Sequence, residues 1–227
     1  MRLTVFLPVL VAGLTLPTAA AAQSAEDGWY VAASGTLSLL DDSHTFIVDL
    51  PIPTGYAETE YKMDAGWGAQ VAVGRQFDRV RLEVEGGYTK NTADHYEAIV
   101  PPTGDIPAEG GHKTWRVMAN GYYDFGEGNF RPYIGGGVGY AEVKGRLFAA
   151  RAPFPDEEPM LILNDRTGEL AYQAMAGASV GVSDSVSLTA QYRWFSVGKA
   201  HFTDLGGYEH IREHHGHNLD VGLRIRL

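Results

Sequence analysis

The chain has 227 residues, a formal net charge of −10 and no cysteine. The missing cysteine excludes a disulfide framework, a thiolate metal site and a lipoprotein attachment residue. The negative balance argues against a nucleic-acid partner.

The first segment does not read as part of a fold. Arg2 supplies a positive start, Leu3–Leu16 an apolar run, and Ala20, Ala21 and Ala22 a small-residue cleavage site. This is the pattern of a secretory signal peptide over residues 1–22. Pro17 and the alanine-rich end argue against a retained membrane anchor. Residues 23–227 then make one domain by length, with no later apolar run long enough for a spanning helix.

Past that segment, polar–apolar alternation recurs eight times. A period of two is the mark of a β-strand with one apolar and one polar face. The first strand is Gly28–Leu40, with Trp29, Val31, Ala33, Leu37 and Leu39 on one face. The second is Gly66–Gln76, with Trp67, Ala69, Val71 and Val73. The third is Val80–Thr89, where Val80, Leu82, Val84 and Tyr88 oppose Arg81, Glu83 and Glu85. The fourth is Thr114–Phe125, where Trp115, Val117, Ala119 and Tyr123 oppose Arg116, Met118, Asn120 and Tyr122. The fifth starts at Pro132, a position proline tolerates, and sets Ile134, Val138 and Tyr140 against Gly135, Gly137 and Gly139. The sixth is Leu170–Val182 and the seventh Val186–Phe195. In the last, Leu219, Val221, Leu223, Ile225 and Leu227 alternate with Asp220, Gly222, Arg224 and Arg226.

The connections alternate long and short. Short ones fall near Phe77-Asp78-Arg79, at Gly126–Asn129 and at Ser183-Asp184. Long ones cover Asp41–Asp64, Lys90–Lys113, Lys144–Glu169 and Ser196–His217. Pro51, Pro53, Pro101, Pro102, Pro107, Pro153, Pro155 and Pro159 all fall in the long connections, so none removes a backbone donor from a proposed strand. The pattern predicts an all-β fold: an eight-stranded antiparallel up-and-down transmembrane β-barrel with short periplasmic turns and four long extracellular loops.

A soluble barrel would show the same alternation with the apolar set turned inward. Three features favour the membrane. All four tryptophans of the strands lie on the apolar set near strand ends, as an aromatic girdle requires. The apolar set carries no charge in any strand core. The other face mixes glycines with Arg81, Glu83, Glu85, Arg116, Arg193 and Arg224, which reads as a salt-bridged plug in a lumen just wide enough for side chains. Such a plug also argues against a wide channel and against Glu83 and Glu85 as an acid–base pair.

Several stretches carry a family likeness. They are Trp67–Glu85, Met118–Phe125, Arg131–Tyr140, Ala171–Ala174 and Gln191–Phe195. Together they resemble the small outer-membrane β-barrel family, the OmpA-like and opacity-like surface antigens of Gram-negative bacteria. Leu219–Leu227 resembles the closing strand that the barrel-assembly machinery of that membrane recognises, although the family usually ends in Phe and this chain has Leu227. The resemblance implies location in the bacterial outer membrane, contact with its lipids and lipopolysaccharide, and a structural or surface-interaction role. It implies no cofactor and no catalytic residues, and names no extracellular partner.

Two features could carry chemistry. All eight histidines fall in the long connections, and five of them, His201, His210, His214, His215 and His217, share the last one. Asp204, Glu209 and Glu213 lie among them, so a weak transition-metal site is one reading. The spacing His210-x-x-x-His214 would align two imidazoles on a helical turn. A polar surface loop is the favoured reading, since no closed ligand set is visible. The other feature is a lipid A deacylase dyad. No serine stands two positions after His215 or His217, so the adjacent nucleophile is missing.

Overall fold

A computed structural model describes residues 27–40, 43–48, 56–100, 104–126, 128–149, 160–203 and 209–227. The segment expected to be a signal peptide lies outside them, as do the prolines at 51, 53, 101, 102, 153, 155 and 159. Ten strands run in order: β1 Gly28–Leu40, β2 Ser43–Val48, β3 Tyr56–Met63, β4 Gly66–Phe77, β5 Val80–Val100, β6 Gly104–Asp124, β7 Phe130–Ala149, β8 Met160–Gly181, β9 Val186–Thr203 and β10 Glu209–Arg226.

Eight of these close a barrel. Going round the wall, the order is β1, β4, β5, β6, β7, β8, β9, β10 and back to β1, each neighbour antiparallel. The closing seam pairs β1 with β10 from Tyr30↔Arg226 to Leu40↔Gly216. Leu227 adds a last backbone bond to the Trp29 carbonyl at 2.9 Å. Strands β2 and β3 form a separate hairpin that joins the far end of β5.

The faces are turned as the alternation requires, and the outcome is a protein turned inside out. Val71, Val84, Val117, Val138 and Leu170 are all more than half exposed on the outer wall. Arg81, Glu85, Arg116, Arg193 and Asp220 are buried in the lumen. An apolar surface running round the whole wall would drive a soluble protein to aggregate; lipid is the solvent that fits it. The tryptophans sit as expected, with Trp29 by the short turns and Trp67, Trp115 and Trp194 toward the other end. Trp67, Tyr88 and Trp115 make a ring chain, with centroids 6.0 and 4.7 Å apart.

The short turns fall where the sequence puts them. At the first, Asp78 takes φ 50°, a left-handed conformation that aspartate tolerates. Its N–H donates to Asp27 Oδ1 at 2.8 Å.

The long connections differ from expectation. Much of their length is strand. The β5–β6 pairing continues from Tyr88↔Trp115 out to Ala98↔Gly104, with an irregularity between Thr92 and His95. β7 and β8 stay paired to Ala149↔Met160. Pro107 therefore lies inside β6, opposite His95 and next to that irregularity. The reason these segments escaped the alternation rule is visible in their side chains. On β7, Ala141 and Val143 are fully buried inside while Glu142, Lys144 and Arg146 face out. Beyond Tyr140 the wall thus changes sign, from apolar-out to polar-out. The inner layer at this level is apolar, formed by Ala93, Met118, Ala141, Val143, Ala171, Phe195 and Val197. The membrane solvates one part of the barrel and water the other.

The purified protein is expected to need detergent or lipid, to give a β-rich circular dichroism spectrum, and to migrate faster in unboiled than in boiled gels. A monomer stable in plain buffer would contradict the lipid-facing wall.

Candidate functional site: the lumen and the outer rim

The lumen is filled from all eight barrel strands. At its centre the Glu85 carboxylate (β5) meets Arg193 (β9) through two bonds, Nη1–Oε1 at 2.6 Å and Nη2–Oε2 at 3.0 Å. Strands β5 and β9 stand opposite one another in the wall order, so this ion pair crosses the full bore. Arg116 (β6) adds Nε–Oε1 at 3.1 Å and also bonds Gln70 Oε1 on β4. Arg193 Nε reaches Asp220 (β10) at 3.0 Å. Asp220 also accepts from Thr36 at 2.6 Å and Gln191 at 3.1 Å.

Neutral side chains tie the charges together. Arg193 Nη1 donates to Gln173 Oε1 at 2.8 Å, Gln173 Nε2 to Asn120 Oδ1 at 2.7 Å, and Asn120 Nδ2 to Glu83 at 3.0 Å and Glu85 at 3.2 Å. Glu83 completes its shell with the hydroxyls of Tyr30 and Tyr122, both at 2.9 Å. A second cluster lies nearer the short turns. There Arg81 pairs with Asp124 at 3.0 Å, Gln76 donates to the same carboxylate at 3.0 Å, and the guanidinium lies over the rings of Tyr122 and Tyr133.

The inward glycines make room for these groups. A Cβ on Gly87 would stand 2.7 Å from Arg116 Cζ, so a larger residue there would push the guanidinium off the wall. Gly137 faces Asn120 in the same way.

The plug expected from the sequence is thus present, and its ion pairs run between strands. Arg81 pairs with Asp124 rather than with the two glutamates on its own strand. Successive inward residues on one strand stand side by side, and the ion pairs form across strands. Asp124 and Asp220, the charge partners, were on the polar face but had not been singled out. Four guanidiniums (Arg81, Arg116, Arg193, Arg224) face four carboxylates (Glu83, Glu85, Asp124, Asp220). One cavity of about 50 Å³ touches this network, and another of about 60 Å³ lies by the short turns. Spaces of that size hold a few waters.

The histidines are placed on strands. His112 is on β6, buried in the lumen at the level of Asn91, and so is part of the barrel wall. His44 lies on β2, His95 on β5, His201 on β9, and His210, His214, His215 and His217 on β10. The helical turn considered for His210 and His214 is replaced by strand, with a register shift between Arg212 and His214. The side chains of His201, His210 and His214 lie outside those described. His217 stacks on Tyr192, with ring centroids 5.8 Å apart and the tyrosine oxygen 2.5 Å from Nδ1. Among the described residues no three His, Asp or Glu side chains converge on a metal position. The register sets His215 opposite Ser196 across β9–β10, a neighbour that linear spacing could not reveal.

Replacing Glu85 by Ala would leave Arg116 and Arg193 buried without their shared carboxylate. Breaking a buried pair by removing one partner costs about 3–5 kcal/mol. The urea midpoint of Glu85→Ala in lipid vesicles should therefore fall well below wild type. Glu83→Gln, whose neighbours are neutral hydrogen-bond donors, should fall less. Equal losses would show that the cross-bore pair has no special weight.

Comparison with known proteins agrees with this architecture. The sequence pattern of the family described as outer membrane protein beta-barrel domain matches residues 8–224. The outer membrane protein PagN of Salmonella typhimurium is 29% identical over 206 residues, covering 86% of this chain and 84% of PagN. The crystal structure of OprG from Pseudomonas aeruginosa superimposes with a TM-score of 0.59 at 14% identity, covering 90% of this chain and 97% of that one. Neisserial surface protein A gives 0.48 at 18% identity, over 89% of this chain and 99% of its own. The sign change of the wall, the aromatic girdle and the closed eight-strand order are those of a barrel in the bacterial outer membrane, and the chain belongs to the outer-membrane β-barrel family.

Proposed function

We propose that the protein is a non-catalytic surface-interaction protein, adhesin-like in role, in which a plugged barrel holds paired strands above the membrane for an extracellular partner. The observation that carries this reading is the contrast between the two halves. The spanning part is crossed by ion pairs, while β5–β6 and β7–β8 continue as ladders well past the aromatic girdle. Binding function concentrates in such segments on rigid scaffolds. The stretch 41–64 holds Asp41, Asp42, Asp49, Glu58, Glu60 and Asp64 against Lys62, so a basic partner surface suits it better than a polyanion. In this reading residues 1–22 are removed on export, residues 23–227 form the barrel, and β10 serves as the strand read by the assembly machinery.

A lipid A-modifying enzyme is the second reading, and the placement of His215 opposite Ser196 favours it. A small channel is the third.

Expression in a non-adherent Gram-negative host should raise attachment to cultured epithelial cells. Replacing residues 94–109 by a short turn should abolish that gain while the unboiled protein still migrates as a folded barrel. Attachment unchanged by expression would sink the adhesin-like role. Acyl release from lipid A that disappears in Ser196→Ala would establish the enzyme instead. Steady large conductance in planar bilayers would establish the channel.

A further inference from the structure

One guanidinium of the lumen is left out of the ion pairs. Arg81, Arg116 and Arg193 each hold a carboxylate. Among the described residues no carboxylate pairs with Arg224. Its Nη2 donates to Ser179 Oγ at 3.2 Å, and the guanidinium lies over Tyr30, 5.7 Å from the ring centroid. Its Nη1 is buried with no hydrogen-bond partner. The formal balance of the bore would assign it Glu83. That carboxylate is taken by the hydroxyls of Tyr30 and Tyr122 and by Asn120. Tyr30 therefore holds Glu83 at its hydroxyl and Arg224 over its face, and keeps the two charges apart. A cation held in the bore without a counter-charge is costly, and an orphaned donor adds to the cost.

The fold leaves room beside that cation. Arg224 lines the cavity of about 60 Å³ by the short turns. On β10 it stands opposite Ser187 of β9 and Ala32 of β1, and Arg131 of β7 stands opposite Ser179 of β8. Ala32, Ser179 and Ser187 are too short to cross the bore. The cavity reaches the mouth on the short-turn side, where the exposed Asn129, Asp184 and Ser185 form its lip. Two more guanidiniums stand there. Arg131 Nε donates to the Gly128 carbonyl at 2.9 Å, and Arg226 Nη2 donates to the Asp184 carbonyl. These bonds hold both side chains at the cavity. Asp184 is the one carboxylate among the described residues that line it. Three guanidiniums against one carboxylate make a positive cavity in a chain of net charge −10.

The donors say which anion fits. Guanidiniums from β7 and β10 and hydroxyls from β8 and β9 border the space on several sides. A planar carboxylate is satisfied by one guanidinium fork. A tetrahedral oxyanion has acceptors in every direction and takes charge-assisted bonds from several donors at once. The volume admits one such ion in place of a few waters.

We propose that Arg224, with Arg131 and Arg226, forms a phosphate site in the short-turn mouth of the barrel, the periplasmic mouth in barrels of this kind. The phosphate is either free or the end of a phosphomonoester whose remainder stays outside the mouth. A phosphate oxygen accepts from Arg224 Nη1 and supplies the counter-charge that the lumen does not. The site lies at the opposite end of the barrel from the outer strands and stands whether or not they bind a partner.

The test is equilibrium dialysis of radiolabelled inorganic phosphate against the full barrel folded in a maltoside detergent, which carries no phosphate of its own. Faster migration of unboiled protein checks the fold of each variant. Wild type should bind one phosphate per chain, and acetate at matched ionic strength should not displace it. Arg224→Gln should weaken binding by roughly tenfold or more. Ser187→Leu, which fills the cavity from the neighbouring strand, should do the same. Lys113→Gln, on the outer wall, should bind as wild type does. Unlabelled inorganic phosphate and glycerol 1-phosphate carry the same group, and the one that displaces the label at lower concentration names its source. No saturable binding by wild type, equal binding by Arg224→Gln, or displacement by acetate as readily as by phosphate would overturn the site. Should Arg224→Gln not fold, Ser187→Leu, which removes no charge, carries the same comparison.

Discussion

Closure of the sheet by β1 and β10 is the constraint on which the rest depends. In hydrocarbon no water can satisfy a bare N–H or C=O, so a spanning sheet must have no edge. Eleven register pairs, Tyr30↔Arg226 to Leu40↔Gly216, meet that demand at the seam. Once the sheet is closed, its two faces are fixed by the solvent on each. Apolar side chains go to the lipid, and whatever remains must fill the bore. The polar interior is thus a consequence of closure in lipid.

Filling the bore with charge raises its own difficulty, since a buried ion without a partner is costly. The molecule meets it by balance and by geometry. The pair Glu85–Arg193 joins opposite walls, and Arg116 and Asp220 extend it to their neighbours. The chain Arg193–Gln173–Asn120–Glu83 leaves none of these four side chains isolated. Glycines at 87 and 137 concede their own side chains so that Arg116 and Asn120 can lie flat. The result is a section of the bore cross-braced by ion pairs.

How far this was legible in the sequence follows from the period-two rule. Where lipid lies outside, alternation is sharp, and Leu219 to Leu227 or Val80 to Val84 could be assigned to faces without ambiguity. The short turns at Asp78, Gly126 and Ser183 were equally plain. The lumen was legible as a set of polar residues but not as pairs, because partners such as Glu85 and Arg193 are 108 positions apart and only the strand order brings them together. The outer strands were missed for another reason. At Ala141 to Lys144 the alternation continues with inverted sign, small apolar residues in and charged residues out, and without a lipid-facing apolar set the sequence there reads as a polar loop. His112 was misplaced by the same step.

That inversion also separates the molecule's tasks. Below it, every outward position is held to lipid solubility and every inward one to charge balance, so few residues are at liberty to recognise anything. Above it, the strands keep their pairing but not those demands. Sequence can change there at little cost to the barrel, provided the small inward residues Ala141, Val143 and Ala171 are kept. At the boundary between the two parts, both solvents act on neighbouring residues. There Lys113 stands one outward position from Trp115, and Lys144 two from Tyr140.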